Sequence, residues 1–216
     1  VQINGIVNEY IHVEKPDQEA VPSRQFDISK IDFDLLSREF ARTRRKNLLL
    51  RDLDELVNQQ LAKMLFANPQ RIDYYDRYQE IIDAYNAEQN RATIEKTFMD
   101  LMELASSLDT EQQRYVREGF SSDEELSVYD LLFSENLTKQ EIETIKKVSV
   151  DLLTKIKQQI AKLDHWTDKQ ETKAIVDNLI RNTLWQELPN SYDVSDIQTY
   201  QKKIYEYVYM RYSEVA

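Results

Sequence analysis

From Thr138 to Leu163 the chain reads TKQEIETIKKVSVDLLTKIKQQIAKL, and its local signals all belong to a helix. Thr138 with Glu141 three residues on makes a capping box: the hydroxyl accepts from the amide at the third helical position, and the carboxylate reaches back to the cap. Leu137 before the cap and Ile142 at the fourth helical position supply a hydrophobic staple. Ile145, Leu152, Ile156 and Leu163 then return at intervals of whole turns, which puts them on one face.

The same grammar extends in both directions. Phe33, Leu36 and Phe40 start a first helix; Leu49, Leu53, Leu56, Val57, Met64 and Leu65 continue in three- and four-residue steps to Ala67. Asn68-Pro69 then stops one helix and starts the next, since Asn caps well and Pro fits the first helical position. Ile72, Tyr75, Tyr78, Ile82 and Tyr85 form the next apolar stripe. After Asn90 the pattern resumes with Ile94, Phe98, Leu101, Ala105 and Leu108. Four further capping boxes are expected, at Thr110 with Gln113, Ser122 with Glu125, Thr167 with Gln170, and Ser195 with Gln198. Ile175, Leu179 and Leu184 mark another helix, and Ile197, Tyr200, Ile204 and Val208 a last one. Gly119 falls where a helix would end in a left-handed residue. The expected fold class is all-α, an irregular bundle of eight or nine helices with no repeat at a solenoid period. Residues 1–30, mixed in pattern and broken by Pro16 and Pro22, read as a linker or a strand or two of a preceding domain. Residues 31–216 read as the helical domain, divisible into two sub-bundles meeting near 109–122.

Length and composition restrict function. A chain of 216 residues can bury roughly 70–75% of its unfolded surface, and 41% apolar with 31% charged residues suits a folded domain. Gly5 and Gly119 are its only glycines and stand far apart, so a P-loop, a dinucleotide-binding turn and a nucleophile elbow are excluded. The absence of Cys removes disulfides, thiolate nucleophiles and Cys-ligated metals. His12 and His165 are too few for a multi-histidine site, and helix-bundle di-iron centres need a Glu three residues from each of two His, which His165 lacks, with Lys162 and Asp168 at those positions. His165-Trp166 reads as a turn between helices. The net charge of -11 disfavours general affinity for nucleic acid or anionic membrane. Residues 1–47 are neutral, so the acidity lies beyond them. No apolar run approaches a membrane span and no signal peptide opens the chain, which makes cytoplasmic the default expectation. The start at Val1 rather than Met suggests a piece of something longer.

Candidate interaction residues are few. Arg42, Arg44, Arg45 and Lys46 form the one dense basic cluster, and Arg38, Arg42 and Arg45 share helical spacing on one face. Such a face can hold phosphate or pair with acidic helices of this chain or a partner. The 13 Tyr step mostly in threes and fours, as packing and rim residues do. The carboxylate pairs Asp73/Asp76, Glu124/Glu125 and Asp52/Asp54 read as solvated or first-turn residues. None is isolated in an apolar pocket as acid/base catalysis would need.

Read together, several stretches resemble the C-terminal helical region of the restriction (R) subunit of type I restriction-modification enzymes. They are IDFDLLSREFARTRRKN at 31–47, NPQRIDYYDRYQEIIDAYN at 68–86, EELSVYDLL at 124–132, LDHWTDKQETKA at 163–174 and LWQELP at 184–189. The most telling is 68–86, where Asn68, Pro69, Arg71, Asp73, Tyr75, Arg77 and Tyr78 stand in the family's order. The resemblance implies a parent chain with a nuclease domain and two ATP-driven translocase domains upstream, residues 1–30 being a linker or the end of that motor. It implies that ATP and magnesium serve the parent and no cofactor or metal this fragment. The implied partners are the modification and specificity subunits, with DNA reached through the parent complex and no membrane. No catalytic residue carries over. A helical module gripping the DNA backbone through the basic cluster and an unrelated helical scaffold are the alternatives.

Overall fold

The computed structural model describes residues 31–88 and 90–213, so the expectations for residues 1–30 lie outside the described residues. Nine α-helices account for the described chain, in agreement with the all-α reading. They are α1 (Phe33–Arg42), α2 (Lys46–Ala67), α3 (Ile72–Ala87), α4 (Arg91–Gln112), the single turn α5 (Arg114–Arg117), α6 (Asp123–Leu132), α7 (Lys139–Ile160), α8 (Gln170–Glu187) and α9 (Val194–Tyr212). A 3-10 turn, Pro69–Arg71, joins α2 to α3.

Two apolar cores result. In the first, α2 and α3 pack on α4, and Phe40 of α1 stacks flat on Phe98. Leu53, Val57, Leu61, Leu101 and Leu108 fill its interior. In the second, α6 lies against α7 and α9, and α8 bridges α7 and α9. Ile145, Leu152 and Ile156, three of the four residues that defined the α7 stripe, are fully buried there, and Leu163 packs at its margin. Described tyrosines sit in or at the rim of these cores, with Tyr78, Tyr129, Tyr192, Tyr207 and Tyr212 buried.

The helix ends agree with the sequence cues in part. The Thr138–Glu141 box forms in full, Ser122 accepts from the Glu125 amide, and Asn68 and Asn90 cap the helical turns that begin just after them. Gly119 adopts φ +84°, the left-handed conformation that a Cβ would oppose. Three expected boxes are corrected. Thr110 lies inside α4 and donates to the Ser106 carbonyl. Gln170 begins α8 after Lys169, with no capping by Thr167. Ser195 lies inside α9, whose box is instead Asp193 with Asp196. At Thr110 the helix continues through the site and at Ser195 the Asp193 carboxylate takes the cap, so a motif that matches by spacing alone is outweighed. His165 does stand in the turn between α7 and α8, at φ 43°.

The first helix also ends earlier than the periodicity suggests. The chain breaks at Thr43–Arg45, where Thr43 is extended and its hydroxyl accepts from the Arg45 amide. That local bond competes with the helical ladder, and like charges at four of five successive positions add no support to it. Caps offer a direct check of these assignments. Thr138→Ala should lower Tm by about 2–4 °C through loss of one N-cap, whereas Ser195→Ala should leave it nearly unchanged. Equal shifts in a thermal melt would contradict the boundaries given for α7 and α9.

Candidate functional site

The break at Thr43–Arg45 decides what the basic cluster can do. Arg42 closes α1, Arg44 and Arg45 lie in the connection, and Lys46 opens α2. Arg45 therefore does not continue the Arg38–Arg42 face, which corrects the reading of a single helical stripe. Lys46 is committed: its ammonium lies 2.5 Å from Glu95 of α4 and 4.9 Å from the centre of the Phe40 ring. Arg38, Arg42, Arg44 and Arg45 are exposed, and none pairs with a described carboxylate.

The segment from Asn68 to Tyr78 divides by burial. Asp73, in the first turn of α3, is exposed, and Arg77 makes a solvent-facing pair with Glu103 at 2.9 Å. Tyr75 is half-buried beside Tyr78, and Tyr78 is buried and donates to Asp54 at 2.8 Å. Asp54 is thus not on a solvated face; burial raises its pKa, the Tyr78 bond offsetting only part. Glu124 is likewise engaged, with Lys157 and with Arg211 at 3.5 Å. Its pKa falls below the usual range because those cations outweigh its burial.

Asn68 and Arg71 lead to an extended polar assembly between the two cores. Pro69 sets the 3-10 turn that carries Arg71 inward, leaving it 4% exposed. Its Nη1 and Nη2 donate to the two carboxylate oxygens of Asp123 at 2.9 and 2.6 Å, and its Nε donates to Glu111 at 3.0 Å. Arg114 donates to the same Glu111 oxygen at 3.2 Å and grips Asp130 at 2.6 and 3.1 Å. Asn68 donates to Asp130 at 2.7 Å. Ser127 ties α6 to the end of α2 by donating to the Ala67 carbonyl at 2.9 Å. Burial alone would lower the pKa of Arg71, but hydrogen bonds and charge from Asp123 and Glu111 hold it above its ordinary value. Burial raises Asp130, and Arg114, Asn68 and Arg71 offset this only in part. Glu111, Arg114, Asp123, Ser127 and Asp130 were not singled out by sequence reasoning for this role. Most of these bonds join residues 40 to 62 apart in the chain, and no periodic signal spans such distances.

Aromatic burial gives the domain a readable alkaline response. Burial raises the pKa of Tyr78, Tyr192 and Tyr212 strongly and pushes Tyr207 up to about 12. Tyr74, Tyr129, Tyr200 and Tyr205 are raised for the same first reason. A raised folded pKa stabilises fully below the unfolded value near 10 and is lost as pH climbs above it. Above pH 10, phenolate absorbance should therefore rise in step with loss of helical circular dichroism. Complete titration of the tyrosines near pH 10 with helicity intact would refute the burial assigned to them.

Among the described residues no cluster of three or more His, Asp or Glu is arranged to hold a metal ion, and no helix is long and apolar enough to cross a membrane. The fold and its enclosed charges define an all-α domain whose two cores are pinned together by an arginine–carboxylate network. The chain belongs to the family described as type I restriction enzyme HindI endonuclease subunit-like, C-terminal, whose profile covers residues 18–213. No curated protein and no solved structure matches it.

Proposed function

We propose that the chain is a non-catalytic assembly domain of a type I restriction endonuclease R subunit. It docks an ATP-dependent translocase and nuclease onto the methyltransferase core formed by modification and specificity subunits. The family match over 18–213 is the observation that carries this reading. Supporting it, the enclosed cations Arg71 and Arg114 are spent on internal carboxylates. In this reading ATP and magnesium act on upstream parts of the parent chain, in the cytoplasm, and DNA is met through the assembled complex. Mixing the purified chain with a modification–specificity complex, without DNA or ATP, should give a co-eluting species in size-exclusion chromatography. Separate elution at micromolar concentrations would overturn the proposal.

A second reading has one observation behind it: Arg38, Arg42, Arg44 and Arg45 are exposed and unpaired with any described carboxylate. They could track a DNA backbone. Their replacement by Gln would then weaken binding to all sequences alike and flatten the salt slope by about one unit per lost phosphate contact. The docking reading expects the quadruple variant to leave DNA affinity unchanged, because the chain carries -11 overall and repels DNA elsewhere.

A further inference from the structure

A cavity of about 290 Å³ opens over the arginine–carboxylate network, between the start of α3, the end of α4, and α6. Its floor holds Arg71, Glu111, Arg114 and Asp130, and its walls include Tyr74 and Phe133. Asp73 stands exposed at its margin. The charges of this region do not balance. Two guanidiniums, Arg71 and Arg114, meet three carboxylates, the enclosed Glu111 and Asp130 and the partly exposed Asp123, and Asp73 adds a fourth. The side chains of Glu111 and Asp130 are each 9% exposed, whereas Asp123 is 30% exposed and Asp73 lies at the open margin. In Glu111, one oxygen, Oε1, receives both arginines, and the cavity lies over the carboxylate. Phe133 lies outside the apolar core, 41% exposed beside a polar cavity, although its neighbour Leu132 is fully buried. An aromatic face at the lip of an electron-rich pocket is the setting in which a cation binds well.

We infer that this cavity is the anchor point for a partner protein, receiving one arginine or lysine side chain between the aromatic walls and above Glu111 and Asp130. The inference rests on the docking function proposed above and specifies where that docking occurs. A cationic head supplies the missing positive charge, and its alkyl stem covers Phe133 and Tyr74. Such an enclosed, charge-matched contact at the centre of an interface is where binding energy concentrates.

The test measures affinity of the 216-residue chain for the modification–specificity complex. It compares the unaltered chain with Asp73→Lys, Phe133→Ala and Asp83→Lys. Asp83 is exposed on the same helix, away from the cavity, and its replacement changes net charge by the same amount as that of Asp73. Asp73→Lys and Phe133→Ala should each weaken binding about tenfold, with melting temperatures close to that of the unaltered chain, while Asp83→Lys binds nearly normally. Tight binding by all three variants would place the interface elsewhere and sink the cavity assignment while leaving docking intact. Equal weakening by Asp73→Lys and Asp83→Lys would mean general acidity, not the cavity, attracts the partner. No binding by the unaltered chain would remove the docking reading and this inference with it. If a segment of this chain fills the cavity instead, the two cavity variants will lower thermal stability without changing partner affinity, which also rejects it.

Discussion

Arg71→Ala is expected to cost the domain about 3–5 kcal/mol, as measured by urea unfolding followed by circular dichroism. The reason is the company the side chain keeps, more than the number of its bonds. Removing the guanidinium leaves Glu111 with only Arg114 and leaves Asp123 with neither of its bonds from Arg71. An enclosed ion deprived of its partner is destabilising by that order, because its desolvation is no longer compensated. Against the roughly 5–15 kcal/mol by which domains are stable, the variant would stand near the edge of folding. Arg71→Lys should fall between the two, since an ammonium keeps the charge but cannot reproduce the fork that meets both Asp123 oxygens and Glu111 at once. The double variant Arg71→Ala with Asp123→Asn should lose less than the sum of the single ones, because the stranded charge is removed with its partner. A loss below about 1 kcal/mol for Arg71→Ala, the scale of an exposed ion pair, would show that the network is solvated and incidental.

Trp166→Ala is expected to be as damaging, also by about 3–5 kcal/mol, through a cavity. Trp166 is fully buried in the turn between α7 and α8, packs edge-on against Tyr205 and Tyr209, and donates from its indole nitrogen to the Tyr212 carbonyl at 2.8 Å. Truncation forfeits the largest fully buried side chain of the second core and orphans the acceptor at the end of α9. Trp166→Phe keeps most of the apolar contact and should lose about 1–3 kcal/mol, mainly for the unmet carbonyl and lost volume. Equal stability of the Ala and Phe variants would mean that the site collapses around the smaller side chain and that packing is not what fixes the turn.

These two residues also show how far a sequence can be read. Helices were legible because their evidence is local: a stripe such as Ile145, Leu152 and Ile156 lies within a few turns, and the Thr138 box within four residues. Boundaries were legible where a cap had no rival, at Asn68, Ser122 and Thr138. They were misread where spacing alone suggested a cap, at Thr110, Thr167 and Ser195, since spacing does not reveal whether the helix has already begun, as at Thr110 and Ser195, or begins only later, as at Thr167. The basic stripe of Arg38, Arg42 and Arg45 failed for a related reason: helical spacing was extended across Thr43, whose hydroxyl ends the ladder. Asn68 and Pro69 were legible as a helix stop and start and Arg71 was noticed through family resemblance, but the charged bonds that Asn68 and Arg71 make were not readable. Their partners arrive from α4 and α6, and a buried arginine looks in sequence like any surface arginine.

The order of the two cores along the chain bears on synthesis. Every buried residue of the first core lies between Phe40 and Leu108, whereas the second requires Ile204, Tyr207, Val208 and Tyr212 from α9. As the polypeptide leaves the ribosome, the first core can close while the second is still being translated, in keeping with the N-terminal-first folding of successive units. Arg71 then stands beside the first core before Asp123 emerges, with Glu111 as its earliest carboxylate. The nascent domain passes through an interval in which an arginine waits for its counter-ion, and α6 has a charged cradle already formed when it arrives. The same charges that join the finished halves thus act beforehand as a template for the second half to dock against.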